Sequence, residues 1–499
     1  MKKDILERLA RVDERLSRHA RPLCAATALA MSALLALYNV RSGPLSNLND
    51  IGGWDNRALF IGMTACVQAV LLLAAAFLHR GGFFRAVMRQ AMLTLAFVML
   101  LFGINQKTFA YIEQVQPMVR AMDTGGLAAI VGFETNLSAP ALTLLYAVTR
   151  GPVYDMYLVK LLCIACLMGL ALLAACAADR RGLGLRADAV LALCLILPQG
   201  FLSAACAAQT DVAAALLLGA SLTLLVQKKH PAACFLLYGT AAALSGASLY
   251  ALPVYVLAMR RGWAGPRHAA LALAALALLC MPAMAAGMPA GETFASVLRA
   301  NFGLPQYASG APNLLGVFPR FAMEEMPEYF MLRQVPVLDA VTHAQEYYTQ
   351  AHFALIMRGM TLAGLALYAG LCAWVWQTAR RGKTDALFCT FALTLGALIV
   401  CPNVSMGAWL LLDVLCIYAA LTSPTLRLPA CMVLFATAAG CAYPVTEEIL
   451  LPVVAGFALC AAALCMLLGV VPDAPVAKAA DMAACKEAEG ERKEANGRG

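Results

Sequence analysis

Residues 137–149, LSAPALTLLYAVT, decide how this chain is threaded. The stretch is apolar, but at about thirteen residues it is too short to cross a ~30 Å hydrocarbon layer, which takes about 20 residues of helix. Outward from it the apolar blocks are longer. They lie at about 22–40, 57–78, 90–106, 153–177, 188–204, 207–226, 232–259, 269–287, 354–376, 386–400, 407–423, 428–443 and 449–471. The blocks are continuous and do not alternate, which argues for helices and against a β-barrel. Of the 499 residues 62% are hydrophobic and 13% charged, too little polar surface to cover a soluble domain of this length. The fold class is therefore all-α, polytopic and transmembrane.

Basic residues orient the spans, because Lys and Arg accumulate on the cytoplasmic side. Clusters occur at 1–21, at Arg80, Arg85 and Arg89, at Arg180, Arg181 and Arg186, and at Lys228–Lys229. Others follow at Arg260, Arg261 and Arg267, at Arg380, Arg381 and Lys383, and at Arg427. If 137–149 crossed the bilayer, the Arg180 cluster would fall outside. If it lies flat as an interfacial helix in a long external loop, 107–152, every cluster falls inside. The block 232–259 starts and ends beside cytoplasmic charges, so it goes in and returns, breaking near Ser245–Gly246 where glycine permits the turn. Counted this way the chain makes about fourteen crossings, with both termini cytoplasmic.

The expected organisation is a basic amphipathic cytoplasmic lead-in at 1–21, without a small-residue cleavage site, then two additional helices within 22–89. A membrane core at 90–400 carries external loops 107–152 and 288–353, followed by further helices at 401–471 and a cytoplasmic, disordered or weakly helical tail at 472–499. Long loops on one face suggest that the work is done outside. The net charge of +8 sits mostly at helix ends, where it meets anionic headgroups, so membrane lipids and not nucleic acid are the expected partners. The eighteen cysteines are scattered through apolar segments. Cys163 and Cys166 form a C-x-x-C with no second pair, and read as small core residues. Gly182-x-Gly184 follows no strand and is no nucleotide fingerprint. His343 and His352 are not on one helix face, so no metal is expected there.

Within 187–259, Pro198 breaks a helix, Gln209-Thr210-Asp211 occupies an external turn, and Lys228–His230 makes a basic turn before the broken block. Together with Ser138-Ala139-Pro140 ahead of the helix Val153–Ala177, and with Tyr307–Leu314 (YASGAPNL), these resemble the C-type multi-pass glycosyltransferases. The likeness is to their mannosyltransferase-like bacterial members and covers about 90–400. It implies a GT-C-like core with interfacial helices in the first external loop. It also implies sugar transfer from a polyprenyl-phosphate donor to an extracytoplasmic glycan, lipid or protein, in the plasma or inner membrane. Where that family usually carries a catalytic Asp, this chain has Asn105-Gln106-Lys107-Thr108, and where many members have Lys in the broken pair it has Ser245-Gly246.

Such chemistry needs an acid at the outer membrane boundary, to take a proton from the acceptor hydroxyl, beside basic or amide groups for the phosphate. The candidate bases are Glu113, Asp123 and Glu134, each of which also reads as a solvated loop acid or turn former. Candidate substrate contacts are Lys107, Arg120, Arg150, Gln209, Asp211, Tyr307 and Asn313. Asp211 also suits the positive end of the helix that it starts, and the tyrosines of the second loop also suit an interfacial belt. Lys160 reads either as a phosphate ligand or as a side chain snorkelling to headgroups. Asp413, inside an apolar block, is functional by default or paired with a polar neighbour. No cofactor is implied. Two other classes stay open: an inactive relative serving in envelope glycan assembly, and a lipid-linked-sugar transporter or flippase.

Overall fold

The computed structural model describes residues 11–17, 19–46, 56–79, 82–106, 111–131, 137–150, 153, 155–302, 350–380, 386–400, 406–446 and 450–469. Among them every regular element is helical. In chain order these are α1 (Ala20–Arg41), α2 (Arg57–Leu78), α3 (Phe83–Phe102), α4 (Gln116–Gly125), α5 (Ala139–Thr149) and α6 (Asp155–Arg180). Next come α7 (Leu185–Leu195), α8 (Asp211–Val226), α9 (Pro231–Leu244), α10 (Leu252–Arg260), α11 (Pro266–Ala285) and α12 (Ala290–Phe302). The last five are α13 (Gln350–Arg380), α14 (Ala386–Val400), α15 (Met406–Thr422), α16 (Arg427–Thr446) and α17 (Leu450–Gly469).

Seven helical stretches among the described residues are long and apolar enough to cross a membrane. They are α1, α2, α3 extended to Asn105, α6 from Met156, α11, α13 from Leu362, and α16 taken as Pro424–Ala442. An eighth is made if α7 is joined to Pro198–Cys206 across a bend of 47°. Pro198 causes that bend: it holds Leu197 extended and removes a backbone donor. Other apolar blocks form helices with shorter apolar segments of 10–17 residues, among them α5, α8 and α9.

The core sits on α6. Its apolar window is 67% buried, against 22% for α11, so α6 is surrounded by protein and α11 is peripheral. Helices α2, α3, α5, α7, α8 and α15 all pack against α6. At one end of the α3–α6 pair, Arg89 reaches Asp179 and Asp188, both at 2.5 Å, and Arg85 reaches Asp188 at 2.9 Å. At the other end the Tyr157 hydroxyl donates to Asn105 Oδ1 at 3.1 Å, and the Lys160 ammonium donates to the Ile104 carbonyl at 3.0 Å. The two helices are therefore antiparallel, and the connector from 106 to 155 leaves and re-enters the bundle at the same end. Helix α5 belongs to that connector.

The block expected to break near Ser245 does so. Helix α9 ends at Leu244, Ser245 is extended, and a 3-10 turn at Gly246–Ala251 leads into α10. Helix α9 packs tightly on α11, since a Cβ on Gly239 would lie 2.1 Å from the Ala272 carbonyl oxygen. That approach needs glycine. In the turn between α6 and α7, Gly182 (φ 72°) and Gly184 (φ 53°) take up left-handed backbone, for which glycine is suited. The lead-in also has a seat. Asp13 Oδ1 accepts from the Phe84 N–H at 2.9 Å, and the Ser17 hydroxyl oxygen accepts from the Phe83 N–H at 3.1 Å. Two otherwise orphaned donors at the start of α3 are thus capped from a segment far away in sequence.

Candidate functional site

The polar end of the bundle is built on Lys160. This lysine is fully buried in α6, so it neither snorkels to headgroups nor projects into the open. Its ammonium donates to the carbonyls of Gly103 (3.5 Å), Ile104 (3.0 Å) and Gln106, where α3 unwinds, and lies 5.8 Å from the centre of the Tyr111 ring. Carbonyls at a helix carboxyl end lack partners in their own helix and carry partial negative charge, so a buried cation is well placed there. Beside it the Asn105 amide accepts from Tyr157 and donates to the Pro44 carbonyl at 3.5 Å. The position at which the resemblance expects a carboxylate is thus occupied by an amide with two protein partners.

One turn along α6, the Cys163 thiol donates to the Gln209 carbonyl at 3.3 Å. This contact brings the turn Gln209-Thr210-Asp211, at the start of α8, to the same end of the bundle. The turn keeps unused polar capacity. Gln209 Oε1 and Thr210 Oγ1 are buried without a hydrogen-bond partner among the described residues, as is the nearby Ser203 hydroxyl. Buried polar atoms without partners are uncommon in folded proteins and mark places to look for a bound group.

Asp211 lines a small cavity of about 30 Å³ with Ser245, Ser248 and Thr394. That volume is room for about one water. The carboxylate and three hydroxyls come from α8, from the break after α9, and from α14. The same break receives α5. The Ser138 hydroxyl, which caps α5 by accepting from the Ala141 N–H at 3.2 Å, is directed at the carbonyls of Ala243 (2.6 Å) and Leu244 (3.2 Å). The Ala139 N–H in turn donates to the Ser296 hydroxyl of α12 at 2.9 Å. Three segments distant in sequence, 138–140, 209–211 and 245–251, are therefore drawn around one end of the bundle.

The remaining candidates divide as follows. Arg150 donates to the Met122 carbonyl at 3.3 Å and lies 4.7 Å above the Tyr146 ring, so it closes the carboxyl end of α4 next to Asp123. Asp123 and Arg120 are exposed on α4 and make no ion pair among the described residues. Glu113 lies in a π-type turn, Tyr111–Val115, that leads into α4, and its side chain is outside the described residues. Lys107, Glu134, Tyr307 and Asn313 also lie outside them. Asp413 is fully buried and lines a second cavity, about 250 Å³, together with Gln199 and Thr437. Sequence reasoning missed the carbonyl cage of Lys160 and the role of Ser138. The signal for the latter was present, since Ser followed by Ala-Pro ahead of an apolar run is a helix start.

Among the described residues no three His, Cys, Asp or Glu side chains gather as metal ligands. No protein-family model, curated protein or solved structure matches the chain.

Proposed function

We propose that this chain is an integral membrane glycosyltransferase with a GT-C-like core, moving a sugar from a polyprenyl-phosphate donor to an extracytoplasmic acceptor. The observation that carries the reading is the convergence of Ser138, Asp211 and the Ser245 break at one end of the bundle. These are the positions at which the resemblance locates an interfacial helix, an acidic external turn and a broken helical pair. The end they share is opposite the Arg85–Arg89–Asp179–Asp188 cluster, so it faces outward if the basic clusters face the cytoplasm. In this reading the chain makes about fourteen crossings, with both termini inside. The acceptor hydroxyl loses its proton to a carboxylate among Glu113, Asp123, Glu134 and Asp211. The donor phosphate is met by Lys107, Arg120 and Arg150, with Gln209 as an amide contact and Tyr307 and Asn313 on the sugar.

The test is turnover of lipid-linked sugar in membranes carrying Glu113→Gln, Asp123→Asn, Glu134→Gln or Asp211→Asn singly. At least one substitution should abolish transfer while the protein level is kept. Transfer that survives all four would remove the enzymatic reading. Cysteine labelling sharpens the topology: residues 180–186 should react only from the cytoplasm.

A second reading is favoured by Asn105. Its amide is engaged by Tyr157 and the Pro44 carbonyl, which suits a relative that kept the architecture and acts in envelope glycan assembly without catalysis. Under it, no carboxylate substitution changes lipid-sugar turnover, and loss of the whole protein still alters the envelope.

A further inference from the structure

At the end of the bundle away from the Asp211 pit, a groove of about 160 Å³ runs between α6, α8, α14 and α15. Its deep part is apolar, formed by Leu170, Gly219 and Leu411. Its mouth is not. There Arg180 donates to Gln227 Oε1 at 2.6 Å, and the Arg181 guanidinium lies 5.5 Å from the centre of the Tyr418 ring. Between Arg180 and Leu170 the groove follows ten residues of α6, about 15 Å at the rise of a helix. Among the described residues no Asp or Glu lines it. Of the acids next in sequence to its lining, Asp179 is turned away into the ion cluster with Arg89, and Asp413 lines a different cavity.

Two guanidinium groups steadied by neighbouring side chains, above a slot that is apolar and parallel to the helices, have the form of an amphiphile. We propose that the groove is a binding site for an anionic phospholipid of the cytoplasmic leaflet, with one acyl chain between α6 and α8 and its phosphate on Arg180 and Arg181. Charge complementarity selects this occupant. An apolar peptide leaves both arginines unmatched, and a zwitterionic lipid brings its own cation to the same place. Guanidinium suits phosphate because its fork of donors matches two oxygens at once. Gly219 keeps the slot open, since a Cβ there would come within 2.7 Å of the Leu170 side chain and 3.3 Å of Leu411. The proposal stands apart from the enzymatic reading, because its arginines lie at the opposite end and, of the residues named for it, only Leu411 also lines the Asp211 cavity.

Native mass spectrometry of the full chain in detergent, titrated with dioleoyl phosphatidylglycerol or dioleoyl phosphatidylcholine, tests it. The wild type should retain one phosphatidylglycerol and little phosphatidylcholine. The double variant R180Q/R181Q, altered at exposed side chains, should bind phosphatidylglycerol roughly thirtyfold more weakly, the combined effect of two interfacial arginines. Ala177→Phe, which fills the groove and leaves both charges, should also lose the lipid. As a measurement that needs no variant, dihexanoyl phosphatidylglycerol should bind more weakly than the dioleoyl form. Equal retention of the two headgroups, or unchanged binding by R180Q/R181Q, overturns the proposal. So does full displacement of the lipid by inorganic phosphate at equal concentration, since the slot would then contribute nothing.

Discussion

At the Arg89 end of the α3–α6 pair each charge faces an opposite charge, whereas at the Lys160 end an ammonium faces carbonyl oxygens. Arg89 is fully buried and holds two aspartates, with Arg85 completing the set and also donating to the Gly184 carbonyl at 2.9 Å. That end is closed. The other end keeps Gln209 Oε1, Thr210 Oγ1 and Ser203 Oγ buried and without partners among the described residues. Satisfied polar networks fix a structure, while unsatisfied ones cost free energy and persist where something else makes use of them. The contrast is between charge paired with charge at one end and a cation held by backbone carbonyls, beside neutral polar atoms, at the other.

Breaking the closed end should have the largest effect. Arg89→Met leaves Asp179 and Asp188 buried with one partner fewer, a loss of about 3–5 kcal/mol. Thermal unfolding followed by fluorescence-detected size exclusion should show the loss. An unchanged melting temperature would refute the view that the cluster bears the structure. Lys160→Met comes next. Removing charged hydrogen bonds to the α3 carbonyls should cost roughly 1.5–3 kcal/mol, with a smaller drop in the same assay than for Arg89→Met. Ser138→Ala should cost about 1 kcal/mol through the lost cap and docking bond, and should raise proteolytic nicking between α5 and the α9 break.

Acidity gives a smaller test of the closed end. His79 follows α2, and its Nδ1 lies 3.8 Å from Asp179. Burial, with the Arg89 charge second, pushes its pKa below the ordinary 6.5 despite the opposing pull of Asp179. The unfolded chain therefore takes up a proton near pH 6.5 that the folded chain resists, so this contribution is present above that pH and is lost as the pH falls. The melting temperature should decline from pH 7.5 to 5, and His79→Gln should flatten the decline. The smallest effect on stability belongs to the open end. Gln209→Ala removes an amide whose oxygen has no partner among the described residues, so it should leave the melting temperature almost unchanged while lowering lipid-sugar turnover. A large destabilisation would place Gln209 with the structural residues and blur the contrast.

Much of this was legible in the sequence. The apolar runs announced helices, the run 137–149 announced a short one, and Ser245–Gly246 announced the break. The ion cluster was not legible. Arg85 and Arg89 were read as topology signals because their partners, Asp179 and Asp188, are about ninety residues away or more and sit in a basic stretch that looks like a loop. Lys160 was misjudged for a related reason: its ligands are backbone carbonyls, which every residue carries and no sequence distinguishes. The number of crossings was harder still. Helices such as α8 and α9 are shorter than a nominal span, so charge parity and not length had to do the counting.

The seat of residues 11–17 bears on how the protein is made. Asp13 finds its partner at Phe84, a separation of 71 residues. A ribosome adding about 5–20 residues per second delivers that partner roughly 4 to 14 seconds after Asp13 itself. During that interval the first two greasy segments must choose their direction with the leading stretch still unmoored. The attachment thus comes too late to steer their insertion, and serves as a clasp that shuts once the third segment has emerged.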